Sequence, residues 1–148
     1  MHLSLSDSVL VAQDIAPQTA SANVSGTVMD MQGWDGCMYE FNIGAMASGA
    51  TFTASILNSA NANMSVNAVV NSNVTGTVVN ANLASVANTS NTNIAILDVW
   101  RPSLRYVQSL AQPAVANVTF GSVAIRYRRT GVLPPTQTAI QQVKIAAN

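Results

Sequence analysis

The stretch that decides the fold is Ile94–Gly131, which reads IAILDVWRPSLRYVQSLAQPAVANVTFGSVAIRYRRTG. It contains three predicted strands, Ile94–Trp100, Leu104–Ala111 and Val118–Arg129. Arg101-Pro102 ends the first strand, because proline lacks a backbone donor, and a proline-containing turn over Gln112–Asn117 ends the second. Short strands that follow one another this closely indicate an all-β fold.

The first and last of these strands have different patterns. In Ile94–Trp100 both alternating faces are apolar, which is typical of a strand covered on both sides. In the last strand Val123, Ile125 and Tyr127 share one face, and Ala124, Arg126 and Arg128 share the other. This alternation predicts that the valine–isoleucine–tyrosine face packs in the core and that the opposite face carries cations.

Further strands are predicted upstream, at Val9–Ala12 (followed by a loop through Pro17), Val24–Met31, Cys37–Ile43 and Ala50–Leu57. Asp35-Gly36 predicts a hairpin turn, since glycine accepts the positive φ that such turns require. Residues 58–93 have asparagine at eleven positions. We expect loops there that join one helical turn or short strand near Met64–Val70 to a strand near Val74–Val79.

The predicted fold is a single-domain, jelly-roll-type β-sandwich of about eight strands with a C-terminal arm. Residues 1–131 form the sandwich domain and residues 132–148 the arm, which Pro134-Pro135 makes stiff near its start.

Charged residues are scarce, at 8% of the 148, and their formal net charge is zero. All the acidic residues precede position 100 and all the lysines and arginines follow it. A surface whose polar groups are mainly Asn, Ser and Thr costs less free energy to desolvate against a partner than a charged surface does. The composition therefore favours an assembly component over a freely diffusing enzyme.

The sequence offers little for catalysis. Its only histidine is His2, and it has neither a Gly-x-Ser-x-Gly elbow nor a phosphate-binding glycine loop. One histidine, the single Cys37 and scattered acids are too few for a metal site. We therefore expect no enzyme activity, no cofactor and no metal.

Nucleic acid and membrane partners are not expected either. The basic cluster Arg126–Arg129 divides between the two faces of its strand, so it is not one compact patch. The sequence has no secretion signal at its start and no apolar run as long as the ~20 residues that a membrane span needs.

The central stretch resembles a group of small virion proteins of tailed bacteriophages, the capsid cement or decoration proteins. The resemblance lies in Asp98-Val99-Trp100-Arg101-Pro102, Arg105-Tyr106-Val107 and Val123-Ala124-Ile125-Arg126-Tyr127, and it departs from the group's pattern at Gln108, where another arginine is common. It implies a jelly-roll protein, made in the host cytoplasm, that binds the outside of the capsid as a homodimer or homotrimer. There it would clamp adjacent subunits of the major capsid protein.

We expect the contacts with the shell or with a neighbouring subunit to come from Arg126, Arg128, Arg129, Pro134, Pro135, Ile140 and Val143. The alternative is a glycan-binding or adhesive β-sandwich domain of a phage tail fibre or surface protein. Exposed aromatic residues around a shallow pocket would favour that alternative, and only Trp34 and Trp100 supply tryptophan.

Overall fold

The computed structural model describes residues 9–66, 68–69, 74–75 and 93–127. These residues form an all-β structure of ten strands and contain no helix. The strands are β1 (Val9–Ala20), β2 (Val24–Ser25), β3 (Met29–Asp30), β4 (Gly36–Met46), β5 (Thr51–Ser59), β6 (Ala68–Val69), β7 (Val74–Thr75), β8 (Asn93–Trp100), β9 (Tyr106–Ala114) and β10 (Val118–Tyr127).

The strands form two antiparallel sheets. Sheet A has the order β1-β10-β4-β8-β7, and sheet B has the order β2-β9-β5-β6, with β3 also paired to β9. If β2 and β3 are counted as parts of one interrupted strand, strands from the first half of the chain (β1 to β5) alternate with strands from the second half (β6 to β10), apart from the edge pair β8-β7. This arrangement is a jelly-roll sandwich, as the sequence predicts.

The core lies between the two sheets. Three phenylalanines meet at its centre: Phe52 contacts Phe41 at 5.9 Å and Phe120 at 5.1 Å between ring centroids. Around them pack alternate residues of β4, β5, β8, β9 and β10, as expected for a sandwich. The sequence of Cys37–Ile43 and Ala50–Leu57 places Cys37, Tyr39, Phe41 and Ile43 on one face of the first strand and Phe52, Ala54 and Ile56 on one face of the second. All seven are buried in the core.

Two predictions about local structure are wrong. The first strand does not stop before Pro17 but runs on to Ala20, with one register shift between Gln13 and Ile15 and a second, between Ile15 and Gln18, that spans the proline. An edge strand tolerates proline, and Pro17 packs over Gly121 of β10. Asp35-Gly36 makes no hairpin, because β4 begins at Gly36 and β3 pairs with β9.

The face assignments of β8 and β10 also need correction. In β8, Ala95, Leu97 and Val99 are buried, whereas Ile94 and Ile96 are 60% and 51% exposed. In β10 the inward residues are Val118, Phe120, Ser122 and Ala124, so Val123 and Ile125 face outward. The core side of β10 uses small residues beside Phe120, and the larger aliphatic residues lie outside.

The predicted arm and most of the asparagine-rich stretch lie outside the described residues.

Candidate functional site

Arg126 is the one predicted contact residue that the structure describes. It follows the inward face of β10 to the end of the sandwich, where its guanidinium carbon lies 5.1 Å from the centre of the Trp34 ring. Its Nη1 donates to the backbone oxygen of Asp30 at 2.9 Å. Arg126 therefore holds the segment between β3 and β4 against sheet A, and a role in partner binding stays a prediction. Arg128, Arg129, Pro134, Pro135, Ile140 and Val143 lie outside the described residues.

Aromatic rings gather at this end of the sandwich. Trp100 stacks on Tyr127 with 5.9 Å between centroids and 18° between planes. Both rings meet above Gly36, which pairs with Tyr127 on one side and Trp100 on the other. A side chain at Gly36 would occupy the space of the Tyr127 ring, so the stack requires glycine at that position.

Tyr127 is held in place by a second interaction. Its hydroxyl donates to Oδ1 of Asp98 at 2.7 Å. Burial, followed by this hydrogen bond, raises the pKa of Tyr127 above its ordinary value. The tyrosine therefore stays neutral and keeps its proton in the hydrogen bond at physiological pH.

Arginines lie against the aromatic rings. The guanidinium carbon of Arg101 lies 5.4 Å from the Trp100 centroid, and that of Arg105 lies 5.2 Å from the Tyr106 centroid. We call the four rings and three arginines the end cluster (Trp34, Trp100, Tyr106, Tyr127, Arg101, Arg105 and Arg126). The end cluster was not predicted from the sequence, although the dipeptides Trp100-Arg101 and Arg105-Tyr106 are a signal for part of it.

Arg105 forms a two-pronged ion pair with Asp30. Its Nε donates to Oδ1 at 2.9 Å, and its Nη2 donates to Oδ2 at 2.7 Å. The Arg105 hydrogen bonds, with a smaller contribution from the backbone N–H of Gln32, lower the pKa of Asp30 to about 2. Both side chains are nearly half exposed, so the pair contributes little to stability and presents its polar atoms to solvent.

An open groove lies beside the end cluster. It has a volume of about 460 Å³ and runs between the turn at residues 31–34 and the segment 101–105. Two backbone hydrogen bonds hold this region together: Met31 N–H donates to Arg105 O at 2.8 Å, and Arg101 N–H donates to Asp35 O at 2.7 Å. We call it the end groove.

The outer face of sheet A is a second surface that could bind a partner. Its residues are the outward side chains of four adjacent strands: Val9, Val11 and Gln13 of β1, Val123, Ile125 and Tyr127 of β10, Met38, Glu40 and Asn42 of β4, and Ile94, Ile96, Asp98 and Trp100 of β8. Six of the thirteen are valine or isoleucine and Met38 is a seventh apolar residue, and one of the two carboxylates, Asp98, accepts the Tyr127 hydrogen bond. A trough of about 460 Å³ crosses the face near Gly121, bordered by Pro17 and Ile94.

The outer face of sheet B has a different character. Its half-buried side chains include the polar Thr51, Thr53, Gln108 and Gln112 and also Leu57 and Leu110. Neither leucine is among the exposed large hydrophobic residues, whereas Ile94 and Ile96 of sheet A are more than half exposed. Exposed aliphatic side chains on a sheet mark a site of association. Sheet A is therefore the better candidate for a protein interface.

Inside the sandwich, Asp14 connects the two sheets. Its Oδ2 accepts hydrogen bonds from Ser109 of β9 at 2.5 Å and from Ser122 of β10 at 2.6 Å, while Oδ1 accepts from Thr27 N–H at 2.9 Å. Burial raises the pKa of Asp14, although these three hydrogen bonds oppose the shift. Asp14 lines neither the trough nor the end groove, so its role is structural.

The other buried polar groups offer no reactive centre. Burial raises the pKa of Cys37 to about 12, so its thiol stays protonated and poorly nucleophilic. Among the described residues no three His, Cys, Asp or Glu side chains come close enough together to hold a metal ion. In the same part of the chain there is no helix that is long and apolar enough to cross a membrane.

Comparisons with known proteins give no family. No protein-family model matches the sequence, and no curated protein matches it significantly. Seventeen chains of solved structures match, among them dimeric latent PorU from Porphyromonas gingivalis, with 10% sequence identity and a TM-score of 0.38. That match covers 82% of this chain but only 13% of PorU. A structural similarity with a TM-score this low gives no information about function. The fold is therefore assigned from the strand order alone.

Proposed function

We propose that this protein is a structural virion component, a cement or decoration protein that binds the outside of a phage capsid and clamps adjacent major capsid protein subunits. The observation that carries the proposal is the aliphatic outer face of sheet A. The resemblance of residues 98–127 to decoration proteins supports it, and the jelly-roll fold is compatible with it.

The pattern of β8 supports burial of this face in an assembly. Ile94 and Ile96 give the strand a second apolar side, yet they are 60% and 51% exposed in the single chain. Full burial of an isoleucine side chain stabilises by ~1.5–3 kcal/mol, so covering the exposed half of each contributes about 1 kcal/mol or more. A partner that covers β8 would complete the two-sided burial that its sequence suggests.

The end of the same face has the residue types that anchor protein interfaces. Trp100 and Tyr127 form a fixed aromatic pair there, with Arg101 beside it. Aromatic residues and arginine dominate the affinity of many interfaces, and charged residues are sparse at interface centres. The chain continues from Tyr127 into Arg128 and Arg129, which we propose contact acidic groups of the shell, together with the arm.

We also propose that the protein acts as a homodimer or homotrimer. An oligomer that contacts several shell subunits binds far more tightly than one copy does, so modest contacts suffice. With so few charges, the contacts between copies would be apolar and neutral polar. Sedimentation should show an oligomer that moderate salt does not dissociate, because salt screens ionic contacts more than apolar ones.

The decisive experiment adds purified protein to shells that lack it. The double substitution Ile94→Ser/Ile96→Ser should weaken the binding of each copy to the shell by about 2–3 kcal/mol. This corresponds to a roughly 30–150-fold lower affinity. The matched control is Val66→Ser/Val115→Ser, which removes two aliphatic side chains that are 72% and 83% exposed outside this face. Equal decoration and equal heat protection of shells by both variants and by wild type would refute the use of sheet A.

A second set of variants tests the cationic end and the arm. Arg128→Ala/Arg129→Ala and a chain that ends at Leu133 should each decorate less than wild type does. If both decorate fully, these residues take no part in binding. The alternative function, a glycan-binding or adhesive domain, would use the end groove instead of sheet A.

A further inference from the structure

We infer that the end groove is a binding site for a neutral oligosaccharide. This inference goes beyond the capsid-binding function and does not depend on it, because the groove and the outer face of sheet A are different surfaces.

The groove has the size and rigidity of a ligand site. Its volume of about 460 Å³ lies within the range of roughly 300–1,000 Å³ that is usual for small-molecule sites. The backbone hydrogen bonds at Met31 and Arg101 join its two walls, and Trp34 N–H donates to Met31 O at 3.0 Å within one of them. A groove held in this way is formed before a ligand arrives, which lowers the entropic cost of binding.

The lining combines apolar and hydrogen-bonding groups, as a sugar ring does. Trp34 supplies an indole ring that Arg126 holds from one side, and Leu104 adds a partly exposed aliphatic side chain. Gln32 supplies an exposed amide. The C–H face of a sugar packs on an aromatic ring, while its hydroxyls need donors and acceptors at the ring's edge.

The polar atoms at the groove can hydrogen-bond to hydroxyl groups. Arg105 lines the groove together with Arg101, and the Arg105 charge is balanced by Asp30, which lies outside the lining. The Asp30–Arg105 pair places a donor beside an acceptor. A hydroxyl both donates and accepts, which matches such a pair. Ser103 Oγ accepts a hydrogen bond from the buried Asn58 at 2.9 Å, so its own hydrogen remains to donate to a ligand.

The backbone at Arg101 is a further sign of a functional position. Its φ of 47° lies in the left-handed region, where a residue other than glycine is uncommon. Strained residues of this kind collect at ligand sites, where the surrounding structure holds them in place. Here the conformation occurs directly before Pro102, on the wall of the groove.

The experiment is an NMR titration of the full chain with cellohexaose, maltohexaose, mannohexaose and hexa-N-acetylchitohexaose, with hexagalacturonate as the anionic comparison. We expect at least one neutral sugar to shift the Trp34 indole N–H and the amide signals of Gln32 and Ser103. Gln32→Ala and Trp34→Phe should each weaken that binding by about tenfold. The matched control Gln18→Ala removes an exposed glutamine of β1 and should change nothing.

Three outcomes would overturn the inference. The first is that none of the neutral sugars shifts these signals at millimolar concentration. The second is that only hexagalacturonate binds, and that salt abolishes its binding, which would mean recognition of charge. The third is that a sugar binds equally to wild type, Gln32→Ala and Trp34→Phe, which would place the site elsewhere. Ile94→Ser/Ile96→Ser should bind sugar normally even if it fails to decorate shells, so the two proposals can fail separately.

Discussion

Asp14 offers the sharpest test of how the two sheets are held together. Replacing it with alanine removes the acceptor that Ser109 and Ser122 share, and both serines are buried. Thr27, the third donor, is exposed and can bond to water. The substitution therefore leaves two donors without a partner between the sheets.

The magnitude follows from these two donors. An unsatisfied buried donor costs ~1–3 kcal/mol, so two cost about 2–6 kcal/mol. Removing the carboxylate also ends the cost of keeping it buried, so we expect Asp14→Ala to lower the free energy of unfolding by about 3 kcal/mol. Asp14→Asn keeps the oxygen that accepts from Thr27, and its NH2 group can donate to the serine oxygens but cannot accept from them. Its effect should therefore be smaller than that of Asp14→Ala but not absent.

The pH dependence gives an independent readout with a definite sign. Burial raises the pKa of Asp14, so the folded protein holds this proton at pH values where the unfolded chain has released it. The folded state then binds more protons, and the free energy of unfolding falls as pH rises from the ordinary aspartate range through the raised pKa. Asp14→Asn lacks this loss, so its stability relative to wild type should improve as pH rises.

Urea unfolding of wild type, Asp14→Asn and Asp14→Ala, followed by circular dichroism from pH ~4 to ~8, measures both effects. Equal stability of wild type and Asp14→Ala at every pH would refute the reasoning about orphaned donors. A difference between wild type and Asp14→Asn that does not change with pH would refute the reasoning about the raised pKa.

Three further predictions concern single positions. Val115 is a β-branched residue at a φ of 71°, and its side chain is 83% exposed. Asparagine tolerates this left-handed conformation better than valine does. Val115→Asn should therefore raise the free energy of unfolding by about 1 kcal/mol, which a higher melting temperature would show. Gly36→Ala should lower stability by about 1–3 kcal/mol and change the near-ultraviolet circular dichroism, since the added methyl group displaces the Tyr127 ring; an unchanged spectrum would contradict the stacked geometry. Cys37, whose pKa burial raises to about 12, should resist iodoacetamide in the folded protein and react once urea unfolds it.

Much of the fold could be predicted from alternation, because β4 and the first half of β5 alternate between buried core residues and half-buried or exposed ones. The same rule failed for β10, where the larger side chains Val123 and Ile125 lie outside and the smaller Ser122 and Ala124 lie inside. Size alone does not identify the buried face when the neighbouring strands supply the bulk of the core. In β8 the pattern implies a cover over Ile94 and Ile96, and no described residue of the single chain buries them.

The candidate surfaces were harder to predict, because they join residues far apart in the chain. Arg105 and Asp30 are 75 positions apart, and Asp14 is 108 positions from Ser122. No local pattern brings such residues together. The strand order does so, by placing β3 and β9 side by side in one sheet and β1 and β10 in the other.

The pairing of β1 with β10 has a consequence for how the protein is made. β10 lies between β1 and β4, so neither of these strands has its full set of neighbours until β10 has left the ribosome. Until then the emerging chain exposes long strands with unpaired edges, and closing the sheet brings Val9 and Tyr127 together across the whole described sequence. Such distant pairings are slow to form. Synthesis that stops before Val118 should therefore yield aggregated chains, not a smaller folded domain.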